Sequence, residues 1–377
     1  MCRAWSRDGY VGLLGYSIFA FIEGWENRPI QLEVFAPAAW PIFSTLAPSV
    51  LPGASVLTAH APDYYALADS QIMMGTKLQV RKIDGGVPLF VAAYAEGDAD
   101  LALEGALARE ALDKVIAYFE KAPFSSYTVA LEFLKPVSPR HEYGFSMEHL
   151  NSGTFYMDLA HALTAKSMDS EKEAHRFNYA HHIAHSWIPK HAYGAGYFPF
   201  HWEMAPVIDT IWFNEGFGRY VAIVALADAL PQDAAARYRK EKLDRLRGIV
   251  ASAPEFLGRM SLVELSREGS FLYADDFRVG MNLFARGALM ASEMDDRIRS
   301  QTGGKKSLRD ALRYLMDWSE RNRRAFRIEE LPVIFHEATG VDTAEILDRW
   351  MQPPHAAASS RDAATDSADG ALTRAEW

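Results

Sequence analysis

Two histidines four residues apart constrain the fold of this chain more than any other feature of its sequence. His181 and His185 can contact one ion together only if their segment is helical, because residues i and i+4 of an α-helix lie on one face with Cβ atoms about 5–6 Å apart. Glu215 follows thirty residues after His185. A carboxylate from a later helix would complete a set of two histidines and one glutamate. The spacing predicts one zinc ion with a position left for water.

A structural alternative is open for the same residues. The histidines would then be surface or satisfied core residues, and Glu215 would be a carboxylate that the helix dipole favours near a helix start. Neither histidine nor carboxylate would need an ion in that case.

The composition is that of an ordinary folded protein. Hydrophobic residues make up 49% and charged residues 23% of the 377 positions, so little disorder is expected. The length indicates two or three domains. A formal net charge of −10 argues against a general affinity for nucleic acid. Cys2 is the single cysteine, which excludes an internal disulfide framework and a thiolate zinc cluster.

The apolar stretch over residues 11–22 follows Arg3 and Arg7 and so imitates a signal peptide. Glycines interrupt it and no clear small-residue cleavage site follows, so a strand is the favoured interpretation. It is also too short to cross a bilayer, which needs about 20 residues. We therefore expect no membrane span. The expected location is cytoplasmic if this N-terminus is natural, and periplasmic or secreted if a signal precedes it.

Hydrophobic periodicity changes along the chain from a β pattern to a helical one. Strands are predicted over 16–23, 30–35, 89–93 and 127–133, and an amphipathic helix over 98–121. From about residue 167 helices are predicted over 171–187, 211–229, 232–250, 278–300, 308–322 and 343–350. Gly303 and Gly304 indicate a helix stop. After residue 353 the composition predicts a disordered tail.

The segments HHIAHSWIPK (181–190) and WFNEGFGRY (212–220) resemble the metal motifs of glycyl aminopeptidases. These are gluzincin (thermolysin-like) zinc metallopeptidases with the motifs His-Glu-x-x-His-x-Trp-x-x-Lys and Trp-x-x-Glu-Gly-x-Thr-x-Tyr, and they often carry a C-terminal PDZ domain. The resemblance covers most of residues 9–350, and no PDZ-like segment follows. It implies that His181, His185 and Glu215 hold one zinc ion.

The resemblance also implies an α+β architecture. A partial N-terminal β-sandwich-like domain is expected over 1–90, a thermolysin-like metallopeptidase domain over 91–235, and a C-terminal helical domain over 236–352. The tail would occupy 353–377. The oligomeric state is not indicated by the sequence.

The segment YGFSMEH (143–149) resembles the exopeptidase motif of the same family, Gly-x-Leu/Met-Glu-His, on a strand that lines the substrate cleft. There the glutamate binds the free α-amino group of a peptide through a charge-assisted contact. The resemblance implies substrate-binding roles for Glu148, Met147 and His149, with one extra residue between Gly144 and Met147. The partner class is therefore the N-terminus of a peptide or protein. The alternative is that Glu148 is a solvated strand residue.

Two residues differ from the family's residues at positions that take part in its catalysis. His182 stands where the family has the glutamate that deprotonates the zinc-bound water. Phe284 stands where the wider clan has a tyrosine that donates a hydrogen bond to the oxyanion, and an ordinary core role also explains it. Losing a general base costs about 10²–10⁴ in rate, and losing one oxyanion donor costs about 10²–10³. Tyr273, Asp275 and Asp276 lie just upstream of Phe284 and are the nearest residues in sequence that could take over a lost catalytic role.

Three interpretations follow. The first is a zinc-binding peptidase homologue, a pseudoenzyme whose peptide cleft is retained and whose hydrolysis is weak or absent. The second is an active metallo-aminopeptidase that uses His182 or another residue as base. The third is a metal-free binding or structural module that keeps only the fold.

Overall fold

The computed structural model describes residues 4–354 apart from residues 8, 50–54, 139, 199, 201 and 274. The described residues group into two compact units. The first contains residues up to 113 and residues 122–186, and the second contains residues 114–121 and the residues from 187 onwards. The predicted α+β class is confirmed, since the first unit combines strands and helices and the second is helical.

The first unit contains the described strands of the molecule. They are β1 (Ala4–Arg7), β2 (Tyr10–Leu14), β3 (Ile30–Phe35), β4 (Ile42–Ser44), β5 (Val56–Ala61), β6 (Gln71–Gly75), β7 (Gln79–Ile83), β8 (Leu89–Ala95), β9 (Tyr127–Leu134), β10 (Gly144–Glu148) and β11 (Ser152–Asp158). Its helices are α1 (Gly15–Ile18), α2 (Tyr64–Ala68), most of α3 (Leu101–Phe119) and α4 (Asp169–Ala184), with a 3₁₀ turn at Leu159–His161.

The described strands form three sheets. Their strand orders are β1-β2-β6-β4, β10-β11-β9-β8-β7 and β3-β5. In the five-stranded sheet, β9 is parallel to both of its neighbours, while β7 and β10 are antiparallel edge strands. All eight residues of β9 are buried, as expected for a strand covered on both faces. The sheet therefore presents β10, the strand that carries Glu148, at one edge.

The second unit is built from helices. They are α5 (Ile211–Ala227), α6 (Gln232–Ala251), α7 (Glu255–Gly258), α8 (Leu262–Leu272), α9 (Phe277–Thr302), α10 (Leu308–Asn322), α11 (Leu331–Thr339) and α12 (Ala344–Met351), with a 3₁₀ turn at Ile328–Glu330 and the end of α3. Within the described residues no helix is both long and apolar enough to cross a membrane.

Helices α5 and α9 cross with their backbones in contact at two glycines. A Cβ atom on Gly216 would lie 2.4 Å from the Cα of Gly287, and one on Gly287 would lie 2.1 Å from the carbonyl oxygen of Trp212. Only glycine leaves room for this approach. The crossing fixes Glu215, the residue before Gly216, relative to Phe284 on α9.

Most predicted elements are confirmed, and one strand is wrong. The strands predicted over 30–35, 89–93 and 127–133 match β3, β8 and β9. The strand predicted over 16–23 is absent, because the chain leaves the sheet after β2. Gly15 N–H donates to the carbonyl of Ser70 at 2.8 Å, and the chain then forms α1.

The domain boundaries predicted at residues 90, 235 and 352 remain predictions. The disordered tail predicted for residues 353–377 lies, beyond Pro354, outside the described residues.

Candidate functional site

His181 and His185 lie at the end of α4 with their rings facing each other. Their Nε2 atoms are 3.3 Å apart and their ring centroids 4.5 Å apart. His181 is 6% exposed and His185 is fully buried. Helix α4 ends at Ala184, three residues before the predicted end, and His185 is its C-cap residue with helical backbone angles, so the i, i+4 geometry survives. The predicted pair is therefore formed within the first unit.

The separation of the two Nε2 atoms suits one tetrahedral ion. Two nitrogen ligands of a four-coordinate zinc at about 2.0–2.1 Å lie about 3.3–3.4 Å apart. The observed 3.3 Å falls at this value. A hydrogen bond between the two rings would give a similar distance, so the geometry permits a metal without requiring one.

A buried carboxylate holds α4 in place beneath the histidines. Glu104 on α3 is fully buried and accepts a hydrogen bond from the Tyr179 hydroxyl at 2.6 Å and one from His175 Nδ1 at 3.0 Å. Burial and the nearby Glu104 carboxylate raise the pKa of Tyr179 well above its ordinary value, so the hydroxyl keeps its proton and donates. This network joins α3 to α4 one helical turn before His181.

His182 is 7% exposed and lies among aromatic rings of the first unit. Its ring is perpendicular to that of Phe155 on β11 with the centroids 5.2 Å apart, and the ring centroids of His181 and His185 are at 5.1 Å and 5.7 Å. The residue at the family's general-base position is thus buried beside the predicted ligands. It does not point into bulk solvent.

The three predicted substrate-binding residues lie at the end of β10. In the register with β11, Met147 is opposite Thr154 and Glu148 is opposite Gly153. Both residues are half-buried. The exopeptidase-like segment therefore does form a strand, with its glutamate as the last strand residue.

His149, in contrast, is buried and forms hydrogen bonds with neighbouring elements. Its Nδ1 is 3.2 Å from Asp69 Oδ1 and its Nε2 is 3.0 Å from Thr154 Oγ1, while Asp69 Oδ2 also accepts the backbone N–H of Leu150. The Ser186 hydroxyl donates to the carbonyl of His149 at 3.5 Å. These contacts tie the end of β10 to α2 and to the end of α4. A direct contact between His149 and a peptide stays a prediction.

One group within the first unit was not predicted from the sequence. Glu148, His182 and His185 each offer a ligand atom, and these atoms lie within 4.8 Å of one another. The sequence gives no spacing signal for this group, because Glu148 comes from a strand and the histidines from a helix.

In the second unit, Glu215 is the fifth residue of α5 and is half-buried. Arg219 follows it one turn later on the same face. Burial lowers the pKa of Arg219 to about 10, and the neighbouring Tyr273 and Glu215 oppose that shift. Arg219 therefore remains a cation at neutral pH beside the predicted carboxylate ligand. Sequence reasoning missed Arg219, although its i+4 spacing from Glu215 was a usable signal.

Phe284 lies in an aromatic cluster of the same unit. Its ring is 5.9 Å from those of Tyr273 and Phe277, and the Arg219 guanidinium lies 5.1 Å from its centroid. Of the three predicted substitutes, Tyr273 is thus in contact with the Phe284 ring. Asp276 already has other partners, since its side chain caps the N-terminus of α9 and accepts a hydrogen bond from Arg278. This hydrogen bond lowers the pKa of Asp276. Asp275 is exposed.

Comparisons with known proteins assign the fold. No protein-family model matches the chain. No curated protein matches it either. Among solved structures, an aminopeptidase N family protein from Idiomarina loihiensis superposes with a TM-score of 0.79 at 21% identity, over 92% of this chain and 59% of that one.

Two structures of an M1 zinc metallopeptidase from Deinococcus radiodurans are also similar. A mutant solved with a Tyr-Ser-Ala substrate gives a TM-score of 0.56 at 17% identity, over 92% of this chain and 70% of that one. Another structure of that metallopeptidase gives 0.57 at 15% identity, over 93% and 71%. This chain therefore has the fold of M1-type zinc aminopeptidases. It spans 59% of the Idiomarina protein's length.

Proposed function

We propose that this protein is a zinc-binding homologue of the glycyl aminopeptidases, with a retained cleft for peptide N-termini and weak or absent hydrolysis. One zinc ion is held by His181, His185 and Glu215. When bound, zinc polarises a carbonyl and acidifies a coordinated water. Glu148 binds the α-amino group of the peptide.

The observation that carries the proposal is the 3.3 Å separation of two buried imidazole Nε2 atoms at the end of α4. Buried imidazoles with this separation are arranged as ligands of a tetrahedral ion would be. The M1-type fold supports the same conclusion. Zinc in the structural neighbours is a property of those proteins, and it supports the assignment here through the shared fold.

The peptide-binding part of the proposal is supported by the position of β10. As an edge strand of the five-stranded sheet, it offers backbone N–H and C=O groups to an extended peptide, which is how peptides commonly bind at sheet edges. Glu148, at the end of this strand, supplies a carboxylate for the terminal ammonium group. The peptide N-terminus would then lie next to His182.

Two substitutions support weak hydrolysis. His182 replaces the carboxylate that carries a proton from water to the leaving amine, and a protonated imidazole is disfavoured beside a dication. Phe284 has no hydroxyl, which removes an oxyanion donor worth about 10²–10³ in rate. The two losses belong to one catalytic unit and need not multiply. The glycyl type of the family is supported by the sequence motif at 181–190, in which Trp187 and Lys190 occupy the family's Trp and Lys positions.

The proposal predicts that peptide affinity depends on a free N-terminus and on Glu148. With one equivalent of zinc, calorimetry should show Gly-Ala-Phe binding at least about 10-fold more tightly than N-acetyl-Gly-Ala-Phe, because a lost charge-assisted hydrogen bond costs about 1.5–3 kcal/mol. The preference should disappear in Glu148→Ala. Glu33→Ala, which removes an exposed strand glutamate of the same unit, should keep it. Equal affinity of the wild type for both peptides would refute the assignment.

A further inference from the structure

We propose that the first unit contains an alternative metal position formed by Glu148, His182 and His185. It shares His185 with the proposed zinc site, so one ion occupies one of the two positions at a time. This inference goes beyond the proposed function, because it needs neither Glu215 nor any residue of the second unit.

The three ligand atoms already lie close together. They are within 4.8 Å of one another, with the two histidines buried and Glu148 half-buried. His182 and His185 belong to one helical segment, with ring centroids 5.7 Å apart. The rings of Phe155 and His182 are perpendicular, with their centroids 5.2 Å apart. His149, the residue after Glu148, fixes the end of β10 through Asp69 and Thr154.

The donor set suits a first-row transition ion. Two imidazoles and one carboxylate form a known zinc set, and imidazole ligands also suit cobalt, nickel and copper. Ligand atoms of a tetrahedral ion lie about 3.3–3.4 Å apart, so the group needs to contract by no more than about 1.5 Å. The half-exposed Glu148 side chain at the strand end has the freedom for most of this movement. His182, which replaces the family's glutamate, is the residue that creates the position.

An ion in this position has a consequence for peptide binding. It engages the carboxylate that would otherwise bind the peptide α-amino group. Metal in the alternative position and a peptide N-terminus therefore compete for Glu148.

The test separates the two positions by removing Glu215. Titrating the metal-free protein with Co²⁺ gives stoichiometry and affinity, and visible absorption identifies a tetrahedral site; circular dichroism verifies folding. We expect Glu215→Ala to bind one Co²⁺ per chain. Adding His182→Ala or Glu148→Ala to Glu215→Ala should weaken that binding by at least about 10–100-fold. Adding His141→Ala, which removes an exposed histidine of the same unit, should change nothing.

The outcomes distinguish this inference from the proposed function. If wild type binds Co²⁺ and folded Glu215→Ala does not, the alternative position is refuted and the proposed zinc site stands. If Glu215→Ala retains wild-type affinity and loses it with His182→Ala, the alternative position stands and the proposed site is refuted. Affinity in Glu215→Ala that is indifferent to both His182→Ala and Glu148→Ala also overturns the inference.

Discussion

Replacing His182 with glutamate is expected to raise the peptidase activity of the zinc-loaded protein by about 10²–10⁴-fold, the range attributed to a positioned general base. The residue is buried at the end of α4, between the two proposed histidine ligands and Phe155 on β11. A glutamate there reaches about as far as the imidazole and places an anionic acceptor beside the ligand pair, whose rings lie 5.1 and 5.7 Å from that of His182. The activity would remain below that of an intact relative, because Phe284 still lacks a hydroxyl.

The measurement is kcat/KM for an aminoacyl fluorogenic substrate with one equivalent of zinc. His182→Gln is the matched control, because glutamine has the size of glutamate and cannot take the proton. A gain in His182→Glu that is absent in His182→Gln would support the proposed loss of the base. If His182→Glu binds zinc as tightly as wild type and hydrolyses no faster, the account of the weak activity is wrong. High activity in the wild type itself would favour the active-aminopeptidase interpretation.

Replacing Glu104 with alanine is expected to lower the free energy of unfolding by about 3–5 kcal/mol, because it removes one partner of a buried polar network. Glu104 is fully buried and accepts from Tyr179, His175 and, at 3.4 Å, the backbone N–H of Leu163. The substitution leaves the buried Tyr179 hydroxyl without its hydrogen-bond acceptor and creates a cavity between α3 and α4. Since α4 carries the histidines, metal affinity should fall as well.

Glu110→Ala is the control for this prediction. Glu110 lies on the same helix and binds Arg176 of α4, but its side chain is 39% exposed, so its loss should cost no more than about 1 kcal/mol. Urea denaturation of both variants gives the comparison. Similar losses for Glu104→Ala and Glu110→Ala would show that the buried network does not hold α4.

Periodicity predicted the elements of this protein well where a single face is buried. The helix at 308–322 and the strand at 30–35 follow from apolar spacing alone. The strand predicted at 16–23 failed because β2 ends at Leu14 and the chain turns into α1 beside α2, where a Cβ atom on Gly15 would lie 2.1 Å from the carbonyl oxygen of Leu67. Local patterns carry no information about such a contact.

The candidate site was predictable only where local helix geometry determines it. The His181–His185 pair depends on helix geometry, which sequence spacing encodes, and the structure forms it. The burial of His149 depends on Asp69, eighty residues earlier, and the group of Glu148 with His182 and His185 depends on how β10 packs beside α4. Tyr273 contacts Phe284 through the turn that joins α8 to α9. Tertiary packing sets all three.

The most direct test of the central claim is anomalous scattering at the zinc edge from crystals of the protein grown with one equivalent of zinc. The account predicts a peak about 2.0–2.2 Å from the Nε2 atoms of His181 and His185 and from a carboxylate oxygen of Glu215. A zinc-saturated crystal with no peak within bonding distance of Glu215 would contradict it.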